Sequence, residues 1–198
     1  METVRLPFTI LIDRQEKAPF SFENIRARSF LDKDQRIYHP RTESRYLGVG
    51  MGDYGLAGYE GRIGIERKSM ADWQGTLLGW RHEVGAGNWT IDVDRRSRFK
   101  RELRTLAAME CKAIVIEASL GECLEKAPAW GVRDKLDNAK YLFSTYLAWL
   151  EEFPAVPWVF CEDRRMAELA AFRIIEKFWA RHAKERRQKQ KQLVGVGA

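Results

Sequence analysis

The sequence has few cysteines and no long hydrophobic run, and these two absences narrow the class of protein. Its 198 residues include only three cysteines, Cys111, Cys123 and Cys161. An odd number at wide spacing favours reduced thiols over disulfides or a zinc site. No apolar run approaches the roughly 18 residues that a membrane span needs, and no secretory signal is recognisable at the N-terminus. These absences predict a cytoplasmic protein that does not attach to a membrane.

Common cofactor and catalytic signatures are also missing. The glycine-rich stretch from Gly48 to Gly64 is not followed directly by a helix, as a dinucleotide-binding fingerprint would be. No G-x-S-x-G sequence supplies a serine nucleophile. The three histidines, His39, His82 and His182, share no metal-ligand spacing. The sequence therefore gives no support for a dinucleotide-dependent enzyme, a serine hydrolase or a histidine-based metal site.

Positive charge is concentrated at the C-terminal end. The chain has a formal net charge of +6 and a pI near 9.3. Residues 181–198 hold six of the 34 Lys and Arg residues but only one of the 28 Asp and Glu residues, so the rest of the chain is nearly neutral. This distribution predicts one main domain over residues 1–180 and a basic, disordered tail over residues 181–198. A basic tail is compatible with nucleic-acid binding, and a solvated helix end explains it equally well.

Hydrophobic patterning predicts an α/β fold. Short apolar runs indicate strands at 8–13, 45–49, 61–68, 113–117 and 156–160, and apolar residues at helical spacing indicate helices at 70–78, 95–109, 136–150 and 167–178. The strands at 45–49 and 61–68 are expected to pair as a hairpin, and residues 81–94 to form a mobile loop or a small hairpin. Ser69 and Asp72 have the spacing of a capping box at the start of the first helix. Strands interleaved with helices predict a layered domain.

Acidic and basic side chains cluster at the end of the strand predicted at 61–68. Alternation along a strand places Glu66 and Lys68 on one face and Arg67 on the other. If Asp53 ends the neighbouring strand, its carboxylate meets Glu66, and two close carboxylates repel each other unless one is protonated or a cation lies between them. Oxygen ligands with open positions suit Mg²⁺ or Mn²⁺. The pattern therefore predicts a divalent-metal site.

These residues resemble the signature of a known family. Read together, Gly52, Asp53, Glu66, Arg67, Lys68 and Asp72 match its pattern G-D, a gap, and then E-R-K-x-x-x-D. The pattern is that of XPF-type structure-specific endonucleases, a branch of the restriction-endonuclease-like PD-(D/E)XK superfamily. Upstream, Asp13 to Glu16 resembles the D-x-R-E motif of the family, with Gln15 in place of the arginine. The resemblance extends over residues 8–120.

The resemblance implies a fold and a reaction. The implied fold is a restriction-endonuclease-like α/β/α sandwich with a central mixed sheet. The implied activity is Mg²⁺- or Mn²⁺-dependent hydrolysis of DNA phosphodiesters by in-line attack of water, at branched or single-strand/double-strand junction DNA. In this interpretation Asp53, Glu66 and Asp13 are the metal ligands, and Lys68 aligns the water or stabilises developing charge.

Three further residues of the signature have supporting roles in this interpretation. Asp72 and Glu16 orient the metal ligands or the basic groups of the site. Arg67 either leaves the strand early or braces the fold through an ion pair, because strand geometry points it away from Lys68.

Basic residues outside the signature are the candidates for DNA binding. They lie after the first strand, along the helix at 95–109 and in the tail: Arg14, Arg95, Arg98, Lys100, Arg101, Lys184, Arg186 and Arg187. The basic helix is as compatible with a solvated face as with a ridge that binds phosphates. No helix-hairpin-helix module or helicase motif of the family is recognisable. The resemblance therefore implies a stand-alone bacterial or phage form that binds DNA itself, as a homodimer through the helices at 136–150 and 167–178, or with a partner protein.

Two other functions remain open from the sequence. One is a non-catalytic DNA-binding or scaffold subunit, although such a subunit is expected to lose the acids of the site. The other is a nickase or exonuclease of broader specificity, which differs from an endonuclease in whether closed circles are cut. Roles in DNA repair, recombination or phage DNA processing follow from the resemblance alone.

Overall fold

Apolar strands and amphipathic helices alternate along the chain. The computed structural model describes residues 3–26, 37–81, 90–91, 93–129 and 135–195. The strands are β1 (Thr3–Asp13), β2 (Ile25–Arg26), β3 (Ile37–Arg45), β4 (Tyr54–Leu56), β5 (Ile63–Lys68), β6 (Trp80–Arg81), β7 (Thr90–Ile91), β8 (Cys111–Ile116) and β9 (Trp158–Phe160). The helices are α1 (Met70–Leu78), α2 (Val93–Ala107), α3 (Leu120–Glu125), α4 (Lys135–Glu152) and α5 (Arg164–Gly195).

Seven of these strands form one mixed sheet in the order β2-β3-β1-β4-β5-β8-β9. Strand β1 is parallel to β3, and β5, β8 and β9 are parallel to one another, whereas β4 is antiparallel to both β1 and β5. Since antiparallel neighbours have opposite ends side by side, the start of β4 lies where β1, β3, β5 and β8 end. We call this end of the sheet the carboxyl edge.

Helices cover both faces of the sheet. Alternation along β8 turns Ala113 and Val115 towards α5, and Ile114 and Ile116 towards the helices α1 to α4. Each face buries its own apolar cluster, and Trp73 at the centre of the second cluster is fully buried. This α/β/α arrangement around a mixed sheet confirms the predicted fold class.

The prediction of a strand at 45–49 is wrong. The observed strand β3 ends at Arg45, and the partner of β5 in the hairpin is β4. Gly48, Gly50 and Gly52 adopt positive φ angles of 107°, 75° and 81°, which a β-strand does not accommodate. The sequence analysis did not predict β3 itself, because its side chains are largely exposed and polar and show no apolar alternation.

Helix α5 continues to Gly195, through most of the residues that the sequence assigned to a disordered tail. His182 is buried against the rings of Tyr59 and Phe178, so packing extends beyond residue 180.

Strands β6 and β7 pair as an antiparallel hairpin, one of the two alternatives for residues 81–94. Residues 82–89 lie outside the described part of the chain. Within the described part of the chain, no helix has the length and hydropathy to cross a membrane.

Candidate active site

The β4–β5 hairpin brings Asp53 to the end of β5. The backbone N–H of Asp53 donates to the carbonyl of Ile65 at 2.8 Å, and the N–H of Arg67 donates to Oδ2 of Asp53 at 2.7 Å. Gly52 adopts a left-handed backbone, and a Cβ at this position would lie 2.8 Å from the carbonyl oxygen of Ile65. Glycine before Asp53 is therefore required by the close approach of the two chains.

Asp53 and Glu66 form the acidic centre of the site. Burial raises the pKa of Asp53 well above its usual range, and the neighbouring Glu66 carboxylate raises it further. The hydrogen bond from the Arg67 N–H and the charge of Lys68 act in the opposite direction without cancelling this shift. The raised pKa is consistent with the expected proximity of the two carboxylates. Such a pair gains most from a cation placed between its members.

Lys68 is a buried cation at the same point. Its side-chain ammonium Nζ lies 3.1 Å from Oε1 of Glu66 and 3.4 Å from Oδ2 of Asp72, and 4.1 Å from the ring centroid of Phe99. Burial lowers the pKa of Lys68, but the carboxylates of Glu66, Asp72 and their neighbours outweigh burial, so its pKa lies above the usual range. Lys68 is therefore protonated at neutral pH and acts as a fixed positive charge.

Asp72 connects Lys68 with the basic helix α2. Its backbone N–H donates to Oγ of Ser69 at 3.1 Å, which is one half of the predicted capping box. Its carboxylate contacts Lys68 and Arg95. Burial raises the pKa of Asp72, and the charges of Lys68 and Arg95 lower it by more, so the carboxylate stays ionised. Asp72 thus holds two cations beside the carboxylates of the site.

Arg67 points to the opposite face of the sheet, as alternation predicts, and braces the fold. Its Nε and Nη2 donate to the two oxygens of Glu117 at 2.7 and 2.9 Å, and its Nη1 donates to Glu16 at 3.2 Å. Arg164 of α5 also binds Glu117, and the guanidinium groups of Arg67 and Arg164 both lie within 6 Å of the Phe20 ring centroid, at 5.8 and 5.0 Å. Of the two alternatives for Arg67, the ion pair is the one observed.

The carboxylate of Asp13 accepts hydrogen bonds from the backbone. Oδ1 accepts from the N–H of Gln15 at 2.8 Å, and Oδ2 accepts from the N–H of Leu47 at 3.2 Å. Its own N–H donates to the carbonyl of Asp53 at 2.8 Å. With 6% of Asp13 exposed, the observed contacts give this carboxylate a bracing role at the carboxyl edge. The role of Asp13 as a metal ligand remains a prediction.

The oxygen donors of the site fit a hard divalent cation that keeps water ligands. Among the described residues, no group of three or more His, Cys, Asp or Glu side chains is arranged to hold a metal. A closed protein cage of the zinc type is therefore not present in this part of the chain. Mg²⁺ needs only one or two carboxylates, because water and substrate phosphate fill its other positions. Asp53 and Glu66 provide that number.

The predicted DNA-binding residues differ in their surroundings. Arg95 binds Asp72, and Lys100 binds Glu152 of α4. Arg14, Arg98 and Arg101 are exposed. The side chains of Lys184, Arg186 and Arg187 lie outside the described part of the chain, although their backbone belongs to α5. Two cations of the basic helix are therefore paired with carboxylates of α1 and α4.

Two acids of the site were missed by the sequence analysis. Glu117 follows directly after the buried strand β8, and its N–H donates to the carbonyl of Lys68 at 3.0 Å. Its position after a strand parallel to β5 is the signal that predicts it. Glu102 lies on α2, where burial raises its pKa and the charge of Glu66 raises it further. Only the packing of α2 against β5 brings Glu102 to the site.

Comparison with known proteins supports the fold. The sequence matches no protein-family model and no curated protein. Among solved structures, XPF from Aeropyrum pernix matches with a TM-score of 0.52 and 16% sequence identity, over 93% of this chain and 72% of that chain. At this identity the similarity concerns the course of the backbone. The chain therefore has an XPF-like fold.

Proposed function

We propose that this chain is an Mg²⁺- or Mn²⁺-dependent endonuclease that hydrolyses DNA phosphodiesters at branched or single-strand/double-strand junctions. The observation that carries the proposal is the convergence of Asp53, Glu66 and Lys68 at one point of the carboxyl edge. There the buried ammonium of Lys68 lies 3.1 Å from the carboxylate of Glu66, whose charge raises the pKa of Asp53. The XPF-like fold and the motif spacing support the same assignment, and the preference for junctions comes from the resemblance alone.

The residues of the site have separate tasks in this reaction. Asp53 and Glu66 would hold the cation, which would supply Lewis-acid stabilisation of the charge that develops on the phosphodiester. Lys68 adds a second, permanent positive charge in a place with little water, where electrostatic stabilisation is strong. Asp72 keeps the ammonium of Lys68 in position through the contact at 3.4 Å. The Arg67 N–H fixes the rotamer of Asp53 through the hydrogen bond at 2.7 Å.

The direct test is cleavage of a substrate panel with and without metal. Flap, splayed-arm, nicked, duplex, single-stranded and closed circular DNA are incubated with the protein in Mg²⁺, Mn²⁺ or EDTA. We expect metal-dependent cutting that Lys68→Ala reduces by about 100-fold to 1,000-fold, since one preorganised stabilising group is lost. Lys112→Ala is the matched control, because Lys112 lies at the opposite end of the neighbouring strand β8.

The outcomes separate the alternative functions. Cutting of closed circles excludes a pure exonuclease, and single cuts in one strand of a duplex identify a nickase. DNA binding without cutting in either metal would contradict the proposal and favour a non-catalytic subunit. Thermal unfolding of Lys68→Ala is measured alongside, so that a loss of folding is distinguished from a loss of chemistry.

The end of α5 is expected to contribute nonspecific affinity. Deleting residues 184–198 removes five Lys and Arg residues and one Glu but keeps the buried His182. We expect weaker DNA binding and a shallower dependence of log affinity on log salt, because fewer phosphates are neutralised. Fluorescence anisotropy across a salt series measures both. An unchanged salt slope would contradict a role of the tail in DNA binding.

A further inference from the structure

A loop next to Asp53 presents apolar side chains to solvent. The Tyr46–Gly52 loop joins β3 to Asp53. The N–H of Leu47 donates to Asp13, and the N–H of Met51 donates to the carbonyl of Gly48 at 3.3 Å. At Gly50 a Cβ would lie 3.0 Å from Oγ1 of Thr105 on α2, so the loop packs closely against that helix. The loop is thus held at several points along its length.

Tyr46 and Val49 are the exposed apolar side chains of this loop. Both are large hydrophobic residues, yet Tyr46 is 45% exposed and Val49 is 81% exposed. The guanidinium of Arg14 lies 5.5 Å from the ring centroid of Tyr46. Arg14 is itself exposed, and within the described part of the chain no carboxylate pairs with it. An aromatic ring and a cation that no described carboxylate neutralises therefore lie together on the surface, and the exposed Val49 follows three residues after Tyr46 in the same loop.

The position of this group follows from strand register. Asp13 of β1 pairs with Arg45 of β3, so the next residues along each strand, Arg14 and Tyr46, emerge side by side. The N–H of Arg14 donates to the carbonyl of Arg45 at 3.1 Å, which holds the two chains together at this point. The N–H of Asp13 donates to the carbonyl of Asp53. The group thus borders the acidic centre at the carboxyl edge.

We infer that Tyr46, Val49 and Arg14 form a subsite for one unpaired base and its phosphate, next to the strand that is cut. This inference rests on the proposed function and names the feature of the DNA that the chain reads. An exposed aromatic face stacks on any base whose own face is free, and an apolar tip keeps neighbouring bases apart. In a duplex both faces of an internal base are already stacked. The subsite therefore favours single-stranded segments over plain duplex.

Binding measurements on an inactive background test the subsite. Asp53→Asn protein is combined with Tyr46→Ala or Tyr46→Phe, and with Phe143→Ala as a control for an exposed aromatic residue on α4. The probes are splayed-arm DNA with 2-aminopurine in the unpaired arm, and a duplex of equal length. We expect Tyr46→Ala to weaken splayed-arm binding about 10-fold and duplex binding by less than about 2-fold, since one base stack is lost. Tyr46→Phe and Phe143→Ala are expected to bind like the background protein.

Two further readings complete the test. Stacking on Tyr46 should quench 2-aminopurine fluorescence in the background and Tyr46→Phe proteins but not in Tyr46→Ala. Arg14→Gln should weaken binding to both probes. The slope of log affinity against log salt should become shallower by about one, as expected for one lost phosphate contact. Thermal unfolding is recorded for each variant, so that only folded proteins are compared.

The possible results separate the subsite from the proposed function. Metal-dependent cutting by the wild-type protein, with Tyr46→Ala binding both probes normally, would overturn the subsite and leave the nuclease assignment intact. An equal loss of affinity of Tyr46→Ala for both probes would also overturn the subsite, because Tyr46 would then contact DNA without distinguishing unpaired bases. Absence of any DNA binding or cutting by the wild-type protein would overturn both. If Tyr46 binds a protein partner instead of DNA, Tyr46→Ala binds both probes normally, which is the first of these results.

Discussion

Replacing Asp53 with asparagine is expected to abolish cleavage and, at the same time, to stabilise the metal-free protein. Asparagine retains an oxygen that accepts the Arg67 N–H, while the charge that burial and Glu66 oppose disappears. We expect a loss of activity of more than about 100-fold, since a residue proposed to hold the cation is removed. The gain in unfolding free energy should be about 1 kcal/mol, a typical gain when a destabilising group is replaced. It corresponds to a rise of about 3 °C in Tm.

The pH dependence of stability distinguishes this explanation from a packing effect. The pKa of Asp53 is higher in the folded than in the unfolded protein, so the folded state binds the proton more tightly. The contribution of Asp53 to stability is therefore fully present below its unfolded pKa and is lost as the pH rises through its folded pKa. Asp53→Asn removes this loss. Its stability advantage over wild type should grow as the pH rises from acid towards neutral.

Metal binding provides a second readout that does not depend on activity. Mg²⁺ or Mn²⁺ should raise the Tm of the wild-type protein, because a ligand of the folded state stabilises it, and should leave the Tm of Asp53→Asn unchanged. Asp163→Asn is the matched control. Oδ1 of the exposed Asp163 accepts the N–H of Met166 at the start of α5, and asparagine caps a helix equally well. If Asp53→Asn were less stable than wild type without metal, the proposed strain between the two carboxylates would be wrong.

The largest loss of stability is expected from Glu117→Ala. Glu117 binds Arg67 with both oxygens and also binds Arg164, and only 10% of its side chain is exposed. Removing one partner of a buried ion pair leaves an uncompensated charge, which costs about 3 kcal/mol or more. Arg67 keeps its contact with Glu16, so the lower end of the usual range applies. The corresponding fall in Tm is about 6 to 12 °C.

Two variants calibrate this result. Glu117→Gln keeps an acceptor for Arg67 and should lose clearly less stability than Glu117→Ala. Glu122→Ala breaks an exposed ion pair with Lys126, and exposed pairs contribute at most about 1 kcal/mol. Urea unfolding of the three variants at one pH measures the differences. Equal stability of Glu117→Ala and Glu122→Ala would show that the ion pairs of Glu117 with Arg67 and Arg164 do not hold the fold together.

Much of the site follows from strand periodicity. Placing Glu66 and Lys68 on one face needs only the alternation of a β-strand, and the contact at 3.1 Å confirms it. The start of α1 follows from Ser69, whose side chain caps the helix. Both features are local, because they depend on residues within a few positions of one another. Local patterns are where sequence reasoning is strongest.

The rest of the site depends on contacts between distant segments. The capping-box spacing predicts the position of Asp72 at the start of α1, but its contact with Arg95 joins it to a helix 23 residues away. The contact between Glu117 and Arg67 spans 50 residues. Such pairs are set by the packing of helices on the sheet, which no local pattern encodes. Strand β3 was missed for a related reason, since a polar strand is recognised only through its pairing with β1.

The hairpin that carries Asp53 and Glu66 has its tip at the opposite end of the sheet from these carboxylates. The tip lies between Leu56 and Ile63, where the N–H of Tyr59 bonds to Leu56 and that of Arg62 bonds to Tyr59. At Gly58 an added Cβ would meet no atom within 4 Å. Extra residues inserted here would extend into solvent and leave the pairing of Tyr54 with Ile65 unchanged. The number of residues between the two acids is thus free to differ among chains with this fold, and the tip is a suitable place for a fluorescent label.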